Sequence, residues 1–166
     1  MRERRILARH EGGLRFALTT GSGHELVVDD GAGGTGSRPT EALLAALVGC
    51  TAMDVASLLV KKRQAVAGYT VEARGRQRDQ YPQVFTWIEL VHVFAGPAID
   101  EVAVRRCIEL SATKYCPINA MVSAGPTEVH HRYRIEEPAD GPKAAAMREG
   151  EVMVTGPRGR NAAVVA

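Results

Sequence analysis

The side chains of this sequence that are best suited to chemistry belong to two cysteines. Cys50 lies in a long apolar run, and Cys116 directly precedes Pro117. Proline suits the first position of a helix, so we expect Cys116 to cap a helix N-terminus, where the helix dipole and free N–H groups stabilise a thiolate. Gly49 stands beside Cys50, where alanine would favour a helix by about 1 kcal/mol, which indicates a close approach to that backbone. Two such thiols suggest thiol–disulfide chemistry, in which one cysteine attacks and the other resolves.

Peroxide chemistry would also need a cation beside the attacking sulfur, to favour the thiolate and to hold the peroxide oxygens. The sequence offers Arg15 in a predicted strand and Arg38 just before a predicted helix. Asp54, one helical turn after Cys50, would oppose ionisation unless an arginine pairs with it. Each residue also has an ordinary interpretation: Cys50 as a core cysteine, Cys116 as a plain cap, and each charge as a solvated surface group.

The third cysteine, Cys107, lies on an apolar helical stripe and is expected to be an inert core residue. No CxxC or HxxxH spacing joins the three cysteines and five histidines. His130 and His131 are adjacent in a predicted strand and would point to opposite faces. We therefore predict no metal site and no cofactor.

The composition and charge of the chain argue against several classes of function. The chain has 166 residues, a formal net charge of +2, and 45% hydrophobic and 24% charged residues, as is typical of one folded globular domain. The charges alternate in sign, which argues against a nucleic acid ligand. An odd number of cysteines and the lack of a signal-peptide core predict a reducing, cytoplasmic setting. Asp54, near the middle of the apolar stretch 42–60, argues against a membrane span.

That apolar stretch predicts the element that positions Cys50. A glycine-rich loop over 30–36 leads to Pro39, so we expect a helix over 40–64 that ends in the basic residues 61–63. Its middle, LLAALVGCTAMDVASLLV, has no polar stripe and must be buried on nearly all sides. A domain of this size covers one side of such a helix, and we infer that a second subunit covers the other in an obligate homodimer.

The remaining elements follow from periodicity and turn residues. Strands are predicted over 5–9, 14–19, 25–28, 69–78, 84–94 and 128–135. A second helix is expected over 100–114, and a short third helix from Cys116 and Pro117. Strands and helices in separate blocks predict an α+β fold with a mostly antiparallel sheet and a long buried central helix. We assign 1–137 to one domain and 138–166 to a C-terminal extension that adds a strand-like arm to its own or a partner subunit.

Two motifs together resemble a known family. The run GTGSRPTEALLAALVGC at 34–50, followed by KYCP at 114–117, resembles the OsmC/Ohr family of osmotically inducible and organic hydroperoxide resistance proteins, over about residues 4–136. The resemblance implies an intertwined homodimer with two active sites at the subunit interface. It also implies a peroxidase in which Cys50 is oxidised by a hydroperoxide to a sulfenic acid, Cys116 resolves it, and a dithiol reductant regenerates the pair.

The same resemblance implies the remaining site residues. Family enzymes pair an arginine of the N-terminal sheet with a glutamate directly after the proline. Arg15 matches the arginine, whereas Thr40 occupies the glutamate position and Glu41 follows it. Glu41 lies nine residues before Cys50, so the two face opposite sides of a straight helix at about 100° per residue. Substrate contacts are assigned to Arg38, Leu47 and Met53.

Three functions stay open at this point. The leading hypothesis is an OsmC-like thiol peroxidase for organic hydroperoxides, since an interface lined by leucine, valine, methionine and aromatic residues suits an apolar substrate. The runs at 21–24 and 50–54 resemble the OsmC-like branch more than the two enzyme branches. The alternative is a dimeric carrier or sensor that binds an apolar small molecule in the same interface without redox turnover. A thioesterase-like enzyme ranks last, because the sequence shows no nucleophile and base for it.

Overall fold

The computed structural model of the protein describes residues 3–137 and 147–152. The chain divides into two compact units, Met1–Ala45 and Ala46–Ala166, and the boundary falls inside the long predicted helix. Strands and helices follow one another in the predicted α+β order, with one strand added towards the C-terminus.

The first unit contains a three-stranded antiparallel sheet. Its strands, in the order of the sheet, are β1 (Ile6–Gly12), β2 (Arg15–Thr20) and β3 (Glu25–Val28). Gly12 and Gly13 turn the chain between β1 and β2 with φ angles of 111° and 55°, which favour glycine. The predicted meander is confirmed. β1 runs past its predicted end at residue 9, because an irregularity between His10 and Gly12 lets pairing with β2 continue to the turn.

The long helix, α1 (Pro39–Lys61), begins where the proline predicts. It ends at Lys61 rather than at residue 64, because Arg63 adopts a left-handed φ of 56° that no helix can continue. Its buried residues form one stripe at a spacing of four, which consists of Leu47, Thr51, Val55 and Leu59. Met53 and Val60 remain 76% and 77% exposed. One chain therefore covers one side of this helix, as expected, and the second subunit stays a prediction.

By length and composition alone, α1 would be able to cross a membrane, and 22% of its most apolar 18-residue window is buried within the chain. Asp54 lies inside that window, and its charge would be expensive in hydrocarbon. The absence of a membrane span therefore stays a prediction.

The second unit contains a four-stranded mixed sheet. Its strands, in the order of the sheet, are β4 (Gly68–Gln77), β5 (Phe85–Ala95), β6 (Glu128–Glu136) and β7 (Met147–Val152). Two of the three pairings are antiparallel, as predicted, and β5 pairs with β6 in parallel because helices connect the two strands. β7 belongs to the predicted extension and adds a strand to its own sheet. The rest of the extension, 138–146 and 153–166, lies outside the described residues.

The connection between β5 and β6 contains two helices joined by a wider turn. α2 (Glu101–Leu110) is capped by Asp100, and α3 (Pro117–Ser123) is capped by Cys116. The predicted helix over 100–114 is wrong from Ser111 onwards, where the chain forms a turn of π-helix over Ser111–Tyr115. The wider turn closes when the N–H of Cys116 donates to the Ser111 carbonyl at 2.8 Å. The predicted cap at Cys116 is confirmed.

The core of the second unit lies against one face of its sheet. On β5 this face carries Ile88, Leu90, His92 and Phe94, all fully buried. Apolar residues of α1 and α2 join this core, among them Val55, Val104, Cys107 and Ile108. Cys107 is fully buried there, which confirms it as a core residue.

Candidate active site

The two predicted thiols meet in the second unit. Cys50 projects from the middle of α1 and Cys116 from the N-cap of α3. Their Sγ atoms and a carboxylate oxygen of Asp54 all lie within 4.8 Å of one another. Both cysteines are free thiols. A disulfide has an S–S length of about 2.05 Å, so the two sulfurs would have to move closer together to form one.

The first turn of α3 directs backbone N–H groups at both sulfurs. Asn119 N–H donates to Cys116 Sγ at 3.2 Å, and the backbone N–H of Ile118 is near enough to Cys50 to lower the pKa of its thiol. Pro117 produces this arrangement, because it starts the helix while Cys116 keeps an extended backbone with φ −76° and ψ 104°. Each sulfur therefore has a donor that would stabilise negative charge on it.

The electrostatic surroundings of Cys50 nevertheless oppose its ionisation. Burial is the largest cause, followed by the hydrogen bond with Cys116, and together with the nearby charge of Asp54 they raise the pKa of Cys50 to about 12. The Ile118 N–H acts in the opposite direction. Asp54 accepts a hydrogen bond from the Ser111 hydroxyl at 3.0 Å. Asp54 thus acts in the predicted direction, against the thiolate, as the smallest of these contributions, and a cation would act against it.

The residues predicted to supply charge lie in the first unit. Arg15 donates to the Glu11 carboxylate at 2.9 Å, with side chains that are 35% and 32% exposed. Glu41 accepts a hydrogen bond at 2.8 Å from the backbone N–H of Arg38, so it caps the start of α1. The glutamate beside Arg15 within this unit is therefore Glu11, which the sequence analysis missed. The roles of Arg15, Arg38 and Glu41 towards a thiol stay predictions.

The residues predicted to contact substrate differ in exposure. Leu47 is fully buried in the single chain, whereas Met53 is 76% exposed on α1. A cavity of about 160 Å³ lies beside Cys116 and is lined by residues 112–117 and Ala120. Pockets that enclose drug-sized ligands are larger, about 300–1,000 Å³, so this opening would hold only part of such a molecule.

The atoms of Cys50, Asp54 and Cys116 are also the kinds of ligand that a soft divalent metal accepts. Tetrahedral zinc takes four ligands, and this cluster supplies three, so a zinc ion here would need a fourth. The absence of a metal site stays a prediction.

A chain of hydrogen-bonded polar side chains that no sequence motif predicted also ends at this site. Tyr69, His92, His131 and Asn119 are joined in that order by side-chain contacts of 2.8, 3.2 and 3.2 Å. Burial lowers the pKa of His131 to about 4 and holds that of His92 well below its usual value. One signal would have revealed both histidines, because each occupies a core position in the period-two pattern of its strand.

Comparison with known proteins adds a family and a fold. Residues 31–132 match the family model described as OsmC-like protein. Protein YhfA of Escherichia coli strain K12 is 35% identical over 123 residues, which cover 74% of this chain and 91% of YhfA. Both matches include Cys50 and lie mainly within the part that carried the sequence resemblance.

Two solved structures are similar to the chain. An OsmC-like protein from Mycoplasma pneumoniae superposes with a TM-score of 0.71 at 14% identity, over 81% of this chain and 97% of that one. The organic hydroperoxide resistance protein OhrB of Bacillus subtilis superposes with a TM-score of 0.55 at 16% identity, over 79% and 97%. At these identities the likeness establishes the fold alone.

Proposed function

This chain belongs to the OsmC-like family, and from that membership we propose that it is a cysteine-based peroxidase that reduces organic hydroperoxides. The observation that carries the proposal is the meeting of two free thiols from different helices, with both Sγ atoms inside one cluster of 4.8 Å. The name of the Bacillus subtilis protein supports the choice of substrate class.

Cys50 takes the part of the attacking thiol. Its sulfur attacks the terminal oxygen of the hydroperoxide, so an S–O bond forms and the O–O bond breaks. The proton of the thiol ends on the departing oxygen, which leaves as an alcohol. The peroxide is reduced by two electrons, and Cys50 is oxidised by two electrons to a sulfenic acid.

Cys116 then completes the cycle. Its sulfur attacks the sulfenic sulfur, the S–S bond forms, and the sulfenic oxygen leaves as water with the proton of the Cys116 thiol. A dithiol reductant reduces the Cys50–Cys116 disulfide to two thiols and becomes a disulfide itself. Asn119 N–H, at 3.2 Å from Cys116 Sγ, stabilises the charge of the attacking sulfur.

In our proposal, a homodimer supplies the cation beside Cys50 and the cover for the exposed side of α1 that one chain lacks. The pKa of Cys50 at about 12 would leave few thiolates at neutral pH, because burial and Asp54 disfavour the charge. In our proposal Arg15 or Arg38 provides the cation, and pairing of α1 with a second copy covers Met53 and Val60. The substrate then binds at the interface against Arg38 and Met53, with Glu41 beside the arginine, whereas Leu47 is buried within its own chain and is not available to the substrate. We place the protein in the cytoplasm, where dithiol reductants keep cysteines reduced.

A dimeric carrier or sensor of an apolar small molecule is the second candidate. The high pKa of Cys50 and the exposed apolar side of α1 favour it, since a carrier needs an apolar interface and no thiolate. Cysteine oxidation separates the two functions.

The test is intact mass and free-thiol count after one equivalent of cumene hydroperoxide. We expect the wild type to lose two hydrogens, Cys116→Ser to hold a sulfenic acid that dimedone traps, and Cys50→Ser to stay reduced. Cys107→Ser is the matched control and should behave as the wild type, because Cys107 is fully buried in the core. If every thiol stays reduced at peroxide concentrations that oxidise free cysteine, the carrier replaces the peroxidase. If oxidation persists in Cys50→Ser and is lost in Cys116→Ser, the two roles are reversed.

A further inference from the structure

The chain of polar side chains that leads to Cys116 begins at the partly buried Tyr69 and is otherwise buried. His92 and His131 are fully buried, and Asn119 is 1% exposed. Tyr69 Oη lies 2.8 Å from His92 Nδ1, His92 Nε2 lies 3.2 Å from His131 Nδ1, and His131 Nε2 lies 3.2 Å from Asn119 Oδ1. Side chains of the three strands β4, β5 and β6 therefore form a hydrogen-bonded series that leads to the first turn of α3.

The direction of every hydrogen bond in this chain follows from its last member. The Asn119 amide nitrogen donates to the Ala112 carbonyl at 2.9 Å, which leaves Oδ1 as an acceptor for His131. His131 therefore donates from Nε2 and, being neutral, accepts at Nδ1. The same reasoning makes His92 a donor at Nε2 and an acceptor at Nδ1, where Tyr69 donates its hydroxyl.

Burial is consistent with this single arrangement. It lowers the pKa of His131 to about 4, so the ring is neutral at physiological pH. It also raises the pKa of Tyr69, so the phenol keeps the proton that it donates. Each ring thus has one tautomer, and each of the four residues has its partner.

The last residue of this series of side chains, Asn119, contacts the proposed site through its backbone N–H. Asn119 is held by its side chain between His131 and the π-helical turn, and its own N–H donates to Cys116 Sγ at 3.2 Å. The residue whose N–H contacts Cys116 is therefore the same residue that is anchored through its side chain to His131 and the Ala112 carbonyl.

We propose that Tyr69, His92, His131 and Asn119 form a positioning network that holds Cys116 for attack on oxidised Cys50. The inference rests on the proposed function, because it assigns the network to the resolving step. Stability alone gives a poor reason for the network. Apolar side chains at His92 on β5 and His131 on β6 would fill the same core without the desolvation of two imidazoles.

The test compares variants at His131 and Tyr69 with two controls. His131→Leu removes the donor to Asn119, His131→Gln keeps an amide donor in its place, and Tyr69→Phe removes only the hydroxyl at the start of the chain. His130→Gln changes the neighbouring histidine on the opposite face of β6. Thr127→Val removes an unrelated buried bond to the Phe85 carbonyl, 2.7 Å long.

Two rate constants are measured for each protein by rapid quench and intact mass. The first is the second-order oxidation of Cys50 by cumene hydroperoxide. The second is the first-order closure of the disulfide, which does not depend on peroxide concentration. Closure is also started with dithiodipyridine, which releases one thiopyridone when a thiol is modified and a second when the disulfide closes. This second route needs no peroxidase activity.

We expect closure to slow by roughly tenfold in His131→Leu, by less in His131→Gln and least in Tyr69→Phe, since small displacements of a reacting group have effects of this size. Oxidation of Cys50 should change less than twofold, and both controls should keep wild-type closure. The network is overturned if folded Tyr69→Phe and His131→Gln close as fast as the wild type, or if Thr127→Val slows closure equally. A different outcome would count against the proposed function alone. Peroxide would fail to oxidise the wild type, but disulfide closure started with dithiodipyridine would still be slower in the His131 and Tyr69 variants than in the controls.

Discussion

At the scale of single residues, the chemistry of this chain depends on which groups surround Cys50. Burial and the Cys116 thiol oppose its ionisation, Asp54 adds to that opposition, and the Ile118 N–H favours the thiolate. The reactivity of the thiol therefore depends on burial and a few neighbours, of which Cys116 and Asp54 can each be replaced.

Asp54→Asn removes the negative charge beside Cys50 and keeps a side chain of the same size. We expect a lower pKa for Cys50 and oxidation by cumene hydroperoxide that is roughly twofold to fivefold faster at pH 7, since one pKa unit corresponds to tenfold in thiolate. Stopped-flow kinetics over a pH series measures both quantities. Glu109→Gln, which neutralises an exposed carboxylate paired with Arg106, is the control and should leave the rate unchanged. An unchanged or slower rate in Asp54→Asn would contradict the electrostatic role of Asp54.

Two histidines give a second prediction at this scale. The pKa of His131 is lowered to about 4 and that of His92 also lies far below its usual value, chiefly through burial, with the charge of His130 adding to the effect on His131. In the unfolded chain both titrate near 6.5, so the unfolded state binds more protons below that pH. The free energy of unfolding should fall as pH drops from about 6.5 towards 4, by up to about 1.4 kcal/mol per pH unit for each histidine.

Urea unfolding at several pH values measures this slope. His131→Gln should reduce the slope between pH 6.5 and 5, because one buried imidazole is gone. His130→Gln should keep it. A slope that is the same in all three proteins would show that other groups control the acid sensitivity.

At the scale of elements, Glu41 at the start of α1 is assigned a catalytic role that can be tested against a helix-capping role. The family pattern implies a catalytic role, whereas the structure shows its carboxylate accepting from Arg38 N–H at 2.8 Å. We expect Glu41→Ala to lower the free energy of unfolding by about 0.5–1 kcal/mol and Glu41→Gln to lower it by less, because an amide oxygen still caps the helix. Chemical denaturation measures the stability, and peroxide turnover of Glu41→Gln shows whether the charge acts in catalysis. A Glu41→Gln protein with wild-type stability and no turnover would establish the catalytic role.

At the scale of the whole molecule, the uncovered side of α1 predicts assembly. We expect the protein to be a dimer of 17.8 kDa chains, and Val60→Asp on α1 to shift it towards monomers, because a carboxylate would be buried in an apolar interface. Size-exclusion chromatography with light scattering measures the mass. Val102→Asp is a matched control, since Val102 on α2 is 74% exposed against 77% for Val60. A wild type that runs as a monomer at micromolar concentration would remove the proposed interface and with it the shared site.

Much of this protein is determined by its local sequence. Turn residues and period-two alternation predict six of the seven strands in the described part of the chain, and Pro39 and Pro117 mark two helix starts, because these signals depend on backbone sterics within a few residues. Cys50 and Cys116 are predicted as the reactive pair from their sequence motifs, and their reactivity stays a prediction. The seventh strand, β7, was expected only as a strand-like arm, because its sequence MREGEV lacks a strong apolar alternation.

Only the tertiary structure decides which distant groups meet. The 4.8 Å cluster of Cys50, Asp54 and Cys116 depends on how α1 lies against α3, which no local pattern encodes. The parallel pairing of β5 with β6 aligns Leu90 with His131, and the histidines become neighbours across the two strands for that reason. Their tautomers are then determined by the Asn119 amide and the Ala112 carbonyl. Such contacts join residues far apart in the chain, so their energies arise only when the folded structure brings the groups together and removes water from them.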